Sequence, residues 1–120
     1  MTSETYRLTF FVNATHTVTI NGTASSHHPH TFEINCYIRS SQFIPFEEME
    51  NQVNNVLTPI NNANLNELSV FKERVPTLEN ITRYLNAEIT QALKELGCTL
   101  VQIEVAESPV GSFIIDNGRK

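Results

Sequence analysis

The chain has 120 residues, 40% of them hydrophobic and 18% charged, and its thirteen acidic and eight basic residues give a formal net charge of −5. This length predicts one domain, residues 1–120, and the composition is that of a globular protein rather than a disordered one. The acidic balance argues against nucleic acid or an anionic membrane as the main partner. No apolar run approaches membrane-spanning length, and the sequence begins without a secretory signal pattern, so we expect a cytoplasmic protein.

Two segments in the first third of the chain alternate between apolar and polar residues, which indicates β-strands. The apolar positions are Tyr6, Leu8, Phe10 and Val12 in residues 5–14, and Phe32, Ile34, Cys36 and Ile38 in residues 30–39. The segment between them is rich in Gly, Ser and His. We therefore expect a long antiparallel hairpin, with residues 17–20 either extending the first strand or beginning a turn.

The middle of the chain changes to a helical period. Residues 46–57 carry apolar side chains at helical spacing, with Pro45 where a helix can begin and Pro59 where it must end. Residues 58–76 are predicted to be a loop. A second helix follows, with Thr77 as its N-cap and Gly97 as its C-terminal stop. Its predicted buried stripe consists of Leu78, Ile81, Leu85, Ile89, Ala92, Leu93 and Leu96.

The last quarter of the chain returns to strand periodicity. Residues 99–106 place Val101, Ile103 and Val105 on one face, and residues 112–115 form a short final strand. The order ββααββ predicts an α+β domain with an antiparallel sheet and two helices on one face. Such a sheet has two open edges that must be protected, so we expect a homo-oligomer.

Four histidines lie near the predicted hairpin turn. His28 and His30 are two residues apart, so on a strand they point to the same side, together with the apolar positions that follow them. His16 shares the parity of the apolar face of the first strand. Three imidazoles on one closed face, with a fourth position open, are typical of a catalytic zinc site. The alternative is a polar turn that happens to be rich in histidine, and His27, at the opposite parity, is better placed for solvent.

Five short motifs, in order, make the chain resemble the family of 6-pyruvoyl-tetrahydropterin and 6-carboxy-tetrahydropterin synthases over nearly its whole length. "FVNATH" is similar to the family's F-x-A-x-H, and "HPH" stands where the family has His-Gly-His. "INNANLN" aligns with Leu-Asp-His-x-x-Leu-Asn. "PTLEN" matches the Pro-Thr-x-Glu-Asn helix start, and "VAESP" resembles the late strand that ends in a glutamate.

The resemblance implies the tunnelling fold, in which ββααββ subunits join their sheets into an oligomeric barrel, as a trimer or a hexamer. It implies a zinc cofactor held by three histidines, here His16, His28 and His30. It implies that Glu107 anchors a pterin substrate at a subunit interface and acts in catalysis, because a carboxylate can accept two parallel hydrogen bonds from a guanidine-like pterin edge. Residues of the "PTLEN" motif, Thr77 and Glu79, are expected to contribute to the same substrate site. A solvated glutamate at a strand end is the alternative for Glu107.

The chain departs from the family at the residues that move protons. The family's cysteine, four residues before the first histidine of His-Gly-His, is Ala24 here, and the family's Asp-His pair is Asn61 and Asn62. Amides do not titrate and cannot act as a general base. Pro29 replaces the glycine between the two histidines, which fixes φ at that position.

No other residue obviously restores this proton relay. Cys36 lies six residues beyond His30, about 20 Å along an extended strand, and Cys98 follows the second helix; both are expected to be free thiols. The candidate substitutes are Ser25, Ser26 and His27, of which His27 is the best surviving base.

Three functions fit these residues. The first is a zinc-dependent lyase or synthase acting on a pterin-type substrate with a rearranged relay and altered or slow turnover. The second is a catalytically silent homo-oligomer that binds a pterin-like or purine-like ligand through zinc and Glu107. The third is a structural oligomer with a vestigial pocket.

Overall fold

The computed structural model describes residues 2–17, 19–20, 22–24 and 28–118, and for residues 19, 20, 24 and 28 it describes the backbone only. The strands are β1 (Tyr6–His16), β2 (Thr19–Ile20), β3 (Thr23–Ala24), β4 (His28–Ser40), β5 (Ala63–Asn64), β6 (Cys98–Ser108) and β7 (Gly111–Asp116). The helices are α1 (Phe46–Leu57) and α2 (Leu78–Lys94). The predicted α+β fold, with a mainly antiparallel sheet and two helices, is confirmed.

The main sheet has the strand order β5-β1-β4-β6-β7. The predicted hairpin of β1 and β4 is confirmed, and its antiparallel register runs from Tyr6 opposite Ile38 to His16 opposite His28. The tip of the hairpin contains a small second sheet, in which β2 pairs with β3. Both long strands extend further toward this tip than their alternation predicted, so the histidine positions 16, 28 and 30 lie within the sheet.

The hydrophobic core lies between one face of the sheet and the two helices, because the apolar parity positions of β1, β4 and β6 all point to that side. Buried residues of this face include Phe10, Ile34, Ile38 and Ile103. Helix α1 contributes Met49, Val53 and Leu57, as its period predicted. The opposite face of the sheet carries polar side chains beside the exposed Phe11 and Ile114: Asn35 accepts a hydrogen bond from the Thr9 hydroxyl and donates one to Glu33.

The alternation predicted for β6 is wrong at one position. The register shifts where Tyr37 pairs with Gln102 and Ile38 pairs with Leu100, so Val101 is the extra residue of a β-bulge. Leu100, rather than Val101, is therefore fully buried opposite Ile38. From Ile103 onward the predicted parity is correct, which keeps the end of the strand on the core face.

Helix α2 begins and ends as the sequence predicted. The Thr77 hydroxyl accepts a hydrogen bond from the backbone N–H of Asn80 at 3.1 Å, which caps the helix. Gly97 adopts φ of 75° just beyond the last turn, a conformation that glycine takes without steric cost. The buried stripe is narrower than predicted, since Leu78, Ala92 and Leu96 are only partly buried.

Residues 58–76, predicted to be a loop, contain short elements that attach to the sheet. Strand β5 pairs in parallel with the end of β1, with Ala63 opposite Ala14 and Asn64 opposite Thr15. Two single turns of 3-10 helix follow at Leu65–Glu67 and Ser69–Phe71. Neither α1 nor α2 is long and apolar enough to cross a membrane, and the same holds for every helix in the described part of the chain.

Candidate metal and substrate site

Three titratable side chains converge where β1, β4 and β6 extend beyond the apolar core. They are His16, His30 and Glu107, and one ligand atom from each lies within 4.8 Å of the other two. His16 ends β1, His30 lies near the start of β4, and Glu107 is the second-to-last residue of β6. Strand parity places all three on the core face, so the cluster follows from the sheet register. Its members come from three different strands.

His16 is the most buried member of the cluster, with 6% of its surface exposed. Its Nδ1 lies 2.7 Å from the carbonyl oxygen of Pro76. Because a carbonyl oxygen can only accept, Nδ1 carries the ring proton and donates it in this hydrogen bond. The Nε2 of the same ring faces the cluster.

Glu107 contacts the Nε2 atoms of both histidines through one oxygen. Its Oε2 lies 3.1 Å from Nε2 of His16 and 3.9 Å from Nε2 of His30. Glu107 and His30 are each about one-third exposed, so this side of the cluster is open to solvent, whereas His16 closes the other side.

Phe32 forms the floor of the cluster. The ring centroids of His16 and His30 are 4.9 Å apart with nearly perpendicular planes, and that of Phe32 lies 5.6 Å from His16 and 6.0 Å from His30. Phe32 is fully buried, so the imidazoles rest on the last apolar layer of the core. This packing restricts the rotamers of both rings and aims their Nε2 atoms at the same carboxylate.

Two of the three histidines predicted to bind metal are therefore brought together with Glu107. His28 lies directly opposite His16 in the β1–β4 register, but its imidazole is outside the described part of the chain. His27, Ser25 and Ser26, the predicted substitutes for the missing cysteine, are also outside the described residues. Ala24 is the last residue of β3.

The residues predicted to bind substrate in the "PTLEN" motif lie at the beginning of α2, next to the cluster. The carbonyl of Pro76 holds His16, and Thr77 follows it directly. The Thr77 hydroxyl already accepts the capping hydrogen bond, and its own O–H is left to donate. The Glu79 side chain is exposed, on the first turn of α2.

A bidentate amide clamp that sequence analysis did not identify fixes the backbone just after His16. The Asn66 side chain accepts a hydrogen bond from the backbone N–H of Thr17 at 2.7 Å and donates one to the carbonyl of Thr17 at 3.0 Å. The only signal in the sequence was the last residue of "INNANLN", which we interpreted as part of a motif match and a polar turn. Asn66 holds the end of β1 in place and so positions His16.

The asparagines at the positions of the family's Asp-His pair lie beside β1. Asn61 Oδ1 accepts a hydrogen bond from the backbone N–H of Asn13 at 3.0 Å, and the N–H of Asn62 donates to the carbonyl of Asn13. Asn13 is three residues before His16, about 10 Å along a strand. The side chain of Asn61 is therefore engaged in attaching its segment to the sheet. Asn62 adopts φ of 66°, in the left-handed region.

Cys36 lies on the same face of β4 as His30 but inside the core, and it is fully buried. Burial raises the pKa of its thiol to about 12, because the thiolate would lose its hydration. A thiol with this pKa is not a nucleophile or a base at neutral pH. Cys36 therefore does not replace the cysteine that is missing at position 24, and Cys98, also a buried free thiol, lies at the far end of β6.

The donor set of the cluster suits a divalent metal ion. Imidazole nitrogen and carboxylate oxygen are both common zinc ligands, at about 2.0–2.2 Å. The Nδ1–H of His16 donates to a backbone carbonyl, which is the usual way in which a protein fixes the tautomer of a metal-binding histidine and leaves Nε2 free to bind.

Comparison with known families gives one match over nearly the whole chain. The family model described as 6-pyruvoyl tetrahydropterin synthase matches residues 5–117. No curated protein sequence matches this chain significantly.

Solved structures of 6-pyruvoyl tetrahydropterin synthases have a similar fold. The structure of 6-pyruvoyl tetrahydropterin synthase from Caenorhabditis elegans matches with a TM-score of 0.81 and 17% identity, over 96% of each chain. The Plasmodium falciparum enzyme matches with a TM-score of 0.68 and 13% identity, over 94% of this chain and 98% of the other. A Plasmodium vivax counterpart has a TM-score of 0.66 and 14% identity, with the same coverage. At this identity the likeness shows a shared fold.

Proposed function

The chain belongs to the 6-pyruvoyl tetrahydropterin synthase family, and from that premise we propose that it is a divergent zinc protein acting on a pterin-type substrate. The family resemblance that the five motifs predicted is confirmed. Family membership supports a pterin-synthase-like function and favours a lyase or synthase reaction. The finer proposal is a site in which His16, His28 and His30 hold zinc and Glu107 binds the pterin.

The observation that carries this proposal is the convergence of His16, His30 and Glu107 at the open end of the core. One imidazole nitrogen from each histidine and one carboxylate oxygen lie within 4.8 Å of one another. Zinc, when bound, supplies a Lewis acid that polarises a substrate oxygen.

The chain's own residues supply orientation and an apolar boundary. Pro76 and Phe32 fix the ring of His16, so its Nε2 is already aimed before any ligand arrives. Glu107 offers acceptor oxygens at the solvent-exposed side, where the guanidine-like edge of a pterin has two parallel N–H donors. Thr77 and Glu79 lie on the first turn of the adjacent helix and are proposed to complete the substrate site.

A second candidate function is supported by the residues that the chain lacks. Ala24 and Asn62 cannot move protons, and the amide of Asn61 is engaged with the backbone of β1. Loss of a positioned acid or base usually lowers the rate by about 10²–10⁴-fold. A catalytically silent protein that binds a pterin-like or purine-like ligand through the same metal and carboxylate is therefore the alternative. His27 is the proposed substitute base if turnover occurs.

The proposal includes a homo-oligomer, a trimer or a hexamer, in the cytoplasm. Its support is the open edge of β7, where Ile114 is half exposed, and the short strand β5 at the opposite edge, which covers only two residues of β1. Sedimentation of the purified protein tests this part directly. A monomer at micromolar concentration would contradict it.

Metal analysis and a substrate assay test the function. Purified protein is expected to contain about one zinc per subunit, and dihydroneopterin triphosphate added to it is expected to give a released aldehyde or a new pterin product. Binding of the pterin without conversion would support the silent alternative. Protein that neither retains zinc nor binds the pterin would overturn both.

A further inference from the structure

We propose that Glu107 is itself a metal ligand in the pterin-free protein, so that one carboxylate serves the metal first and the substrate afterwards. This inference rests on the proposed function for its second half, because only a pterin-binding protein needs the carboxylate twice. The first half, that Glu107 binds the metal together with His16 and His30, stands on the geometry of the cluster alone.

The contact between Glu107 and His16 is the starting point. Nδ1 of His16 donates its proton to the carbonyl of Pro76, so in a neutral ring Nε2 carries a lone pair. That lone pair faces Oε2 of Glu107 at 3.1 Å, and a carboxylate oxygen is also an acceptor. Nε2 of His30 lies 3.9 Å from the same oxygen, so three potential ligand atoms, from three different strands, lie around one point.

The distances fit shared coordination. Two donors that each lie about 2.1 Å from a zinc ion are at most about 4.2 Å apart, and about 3.4 Å apart in a regular tetrahedron. The separations from Oε2 of Glu107 to the two Nε2 atoms, 3.1 Å and 3.9 Å, both lie inside that limit. The two imidazole nitrogens lie within 4.8 Å of each other, so binding requires a small approach of the more exposed His30 ring. The same oxygen makes both contacts, so Glu107 can bind through Oε2 and leave its second oxygen directed elsewhere.

The position of Glu107 in the chain explains why its carboxylate can also leave. It is the second-to-last residue of β6 and is one-third exposed, whereas His16 is packed against Pro76, Phe32 and His30. His16 is therefore the fixed part of the site, and the carboxylate is the part that can turn to a substrate. A pterin that takes the carboxylate frees a coordination position for one of its own oxygens.

The experiment measures metal binding in Glu107→Gln, with Glu104→Gln as the matched control. Gln keeps the size of the side chain and can donate an amide N–H to Nε2 of His16, so the fold is preserved while the ligand is lost. Glu104 is on the same strand but on the opposite face, where its carboxylate accepts a hydrogen bond from Ser112 at 2.6 Å. The zinc dissociation constant is measured by competition with a chromogenic chelator, and the coordination of Co²⁺ by visible absorption.

Glu107→Gln is expected to weaken zinc binding by about 10–100-fold or more, since even removal of an outer partner of a metal ligand has an effect of that size. Its Co²⁺ spectrum is expected to change, and Glu104→Gln is expected to match the wild type in both. Glu107→Asp, which keeps a carboxylate on a shorter side chain, is expected to lie between the two. Unchanged zinc affinity with an unchanged Co²⁺ spectrum in a folded Glu107→Gln protein would overturn the assignment, and the contact would then be a simple hydrogen bond to a protonated His16.

Addition of a dihydropterin to the Co²⁺-loaded wild-type protein separates this inference from the proposed function. A spectral change that saturates with pterin is expected, because the carboxylate leaves the metal. If Glu107→Gln loses metal affinity but no pterin binds the wild type, the ligand assignment holds and the proposed function fails. If pterin binds to the wild type but Glu107→Gln leaves the zinc affinity and the Co²⁺ spectrum unchanged, the proposed function holds and the ligand assignment fails.

Discussion

Two regions of the same sheet face differ in burial and in reactivity: the core around Cys36 and the cluster of His16, His30 and Glu107. In the middle of β4, Cys36 is fully buried, and burial raises its thiol pKa to about 12. Six residues earlier on the same strand, His30 is one-third exposed and faces the carboxylate of Glu107. The difference comes from position along the strand: Cys36 lies within the hydrophobic core, whereas His30 lies beside Phe32, next to the solvent-exposed carboxylate of Glu107. Strand parity sets which way a side chain points, and position along the strand decides whether it can do chemistry.

The largest effect on activity is expected from restoring proton-transfer groups at positions 24, 61 and 62. The triple variant Ala24→Cys, Asn61→Asp and Asn62→His restores the family's residues at these positions. The aspartate introduced at position 61 would still accept the hydrogen bond from the N–H of Asn13, and histidine is among the residues that tolerate the left-handed φ of position 62. Turnover of dihydroneopterin triphosphate is expected to rise by about 10²–10⁴-fold. A variant that binds zinc and pterin but stays inert would show that the relay is aligned wrongly.

Removal of His16 is expected to weaken metal binding strongly, because its Nε2 is one of the three proposed ligand atoms. His16→Ala should weaken zinc binding by more than about 100-fold, because loss of an outer-shell partner alone costs about 10–100-fold. Thr15→Ala, on the adjacent residue and the other sheet face, is the control. Zinc content after dialysis is the measurement, and wild-type content in His16→Ala would contradict the site.

A substitution in the hydrophobic core should lower the free energy of unfolding and leave the zinc affinity unchanged. Ile103→Ala removes a fully buried side chain from β6, and the free energy of unfolding is expected to fall by about 2–5 kcal/mol. Ile114→Ala, on the neighbouring strand and half exposed, should cost less than about 1 kcal/mol. Urea denaturation of both variants checks this. Equal losses would mean that the two sides of the sheet are buried alike, for example inside an oligomer.

The Asn66 clamp holds the backbone of Thr17, next to His16, so we expect its loss to affect stability and zinc affinity less than the substitutions above do. Asn66→Ala leaves the backbone N–H and carbonyl of Thr17 without their partners. We expect a loss of about 1–3 kcal/mol in unfolding free energy and about a tenfold weaker zinc affinity, because His16 is less well positioned. Asn66→Asp, which keeps the acceptor for the N–H of Thr17, should retain part of both. Wild-type zinc affinity in a destabilised Asn66→Ala protein would limit the clamp to a structural role.

The smallest expected effect is a pH dependence at the buried thiol. The Cys36 pKa is raised to about 12 in the folded state, above its ordinary value of 9.0, so the folded protein holds this proton more tightly than the unfolded chain does. Its contribution to stability is complete below pH 9 and is lost as the pH rises toward 12, by up to about 1.4 kcal/mol per pH unit. Cys36→Ala should flatten that part of the stability curve between about pH 9 and 10.5. An identical slope in wild type and variant would contradict the raised pKa.

The sequence predicted the parts of the fold that depend on local periodicity. Alternation in β1 and β4, the apolar spacing of α2 and its Thr77 cap are properties of a short window of sequence. The alternation and the cap are confirmed, and the stripe of α2 is confirmed at Ile81, Leu85, Ile89 and Leu93. The bulge at Val101 was missed because one inserted residue changes no composition and leaves apolar side chains on both sides of the shift. A bulge of this kind is visible only in the register with the neighbouring strand.

The site was predictable in its residue types but not in its contacts. Parity alone indicated that His16, His30 and Glu107 share the core face. That the Pro76 carbonyl and the Asn66 amide fix His16 depends on how segments about 50 to 60 residues later in the chain pack against the end of β1. Asparagine-rich segments look like generic turns in sequence, because an amide's partners are set by tertiary packing.

The hydrogen bond from His16 to Pro76 ties the orientation of one imidazole to the docking of a 17-residue helix. The Pro76 carbonyl lies directly before the first turn of α2, so a shift of that end of the helix would displace the acceptor that orients the His16 ring. Under the proposed function, the metal affinity is therefore expected to depend on how α2 packs against the sheet. A mutation or a subunit contact that shifts α2 far from the histidines would therefore change the dissociation constant of the metal ion.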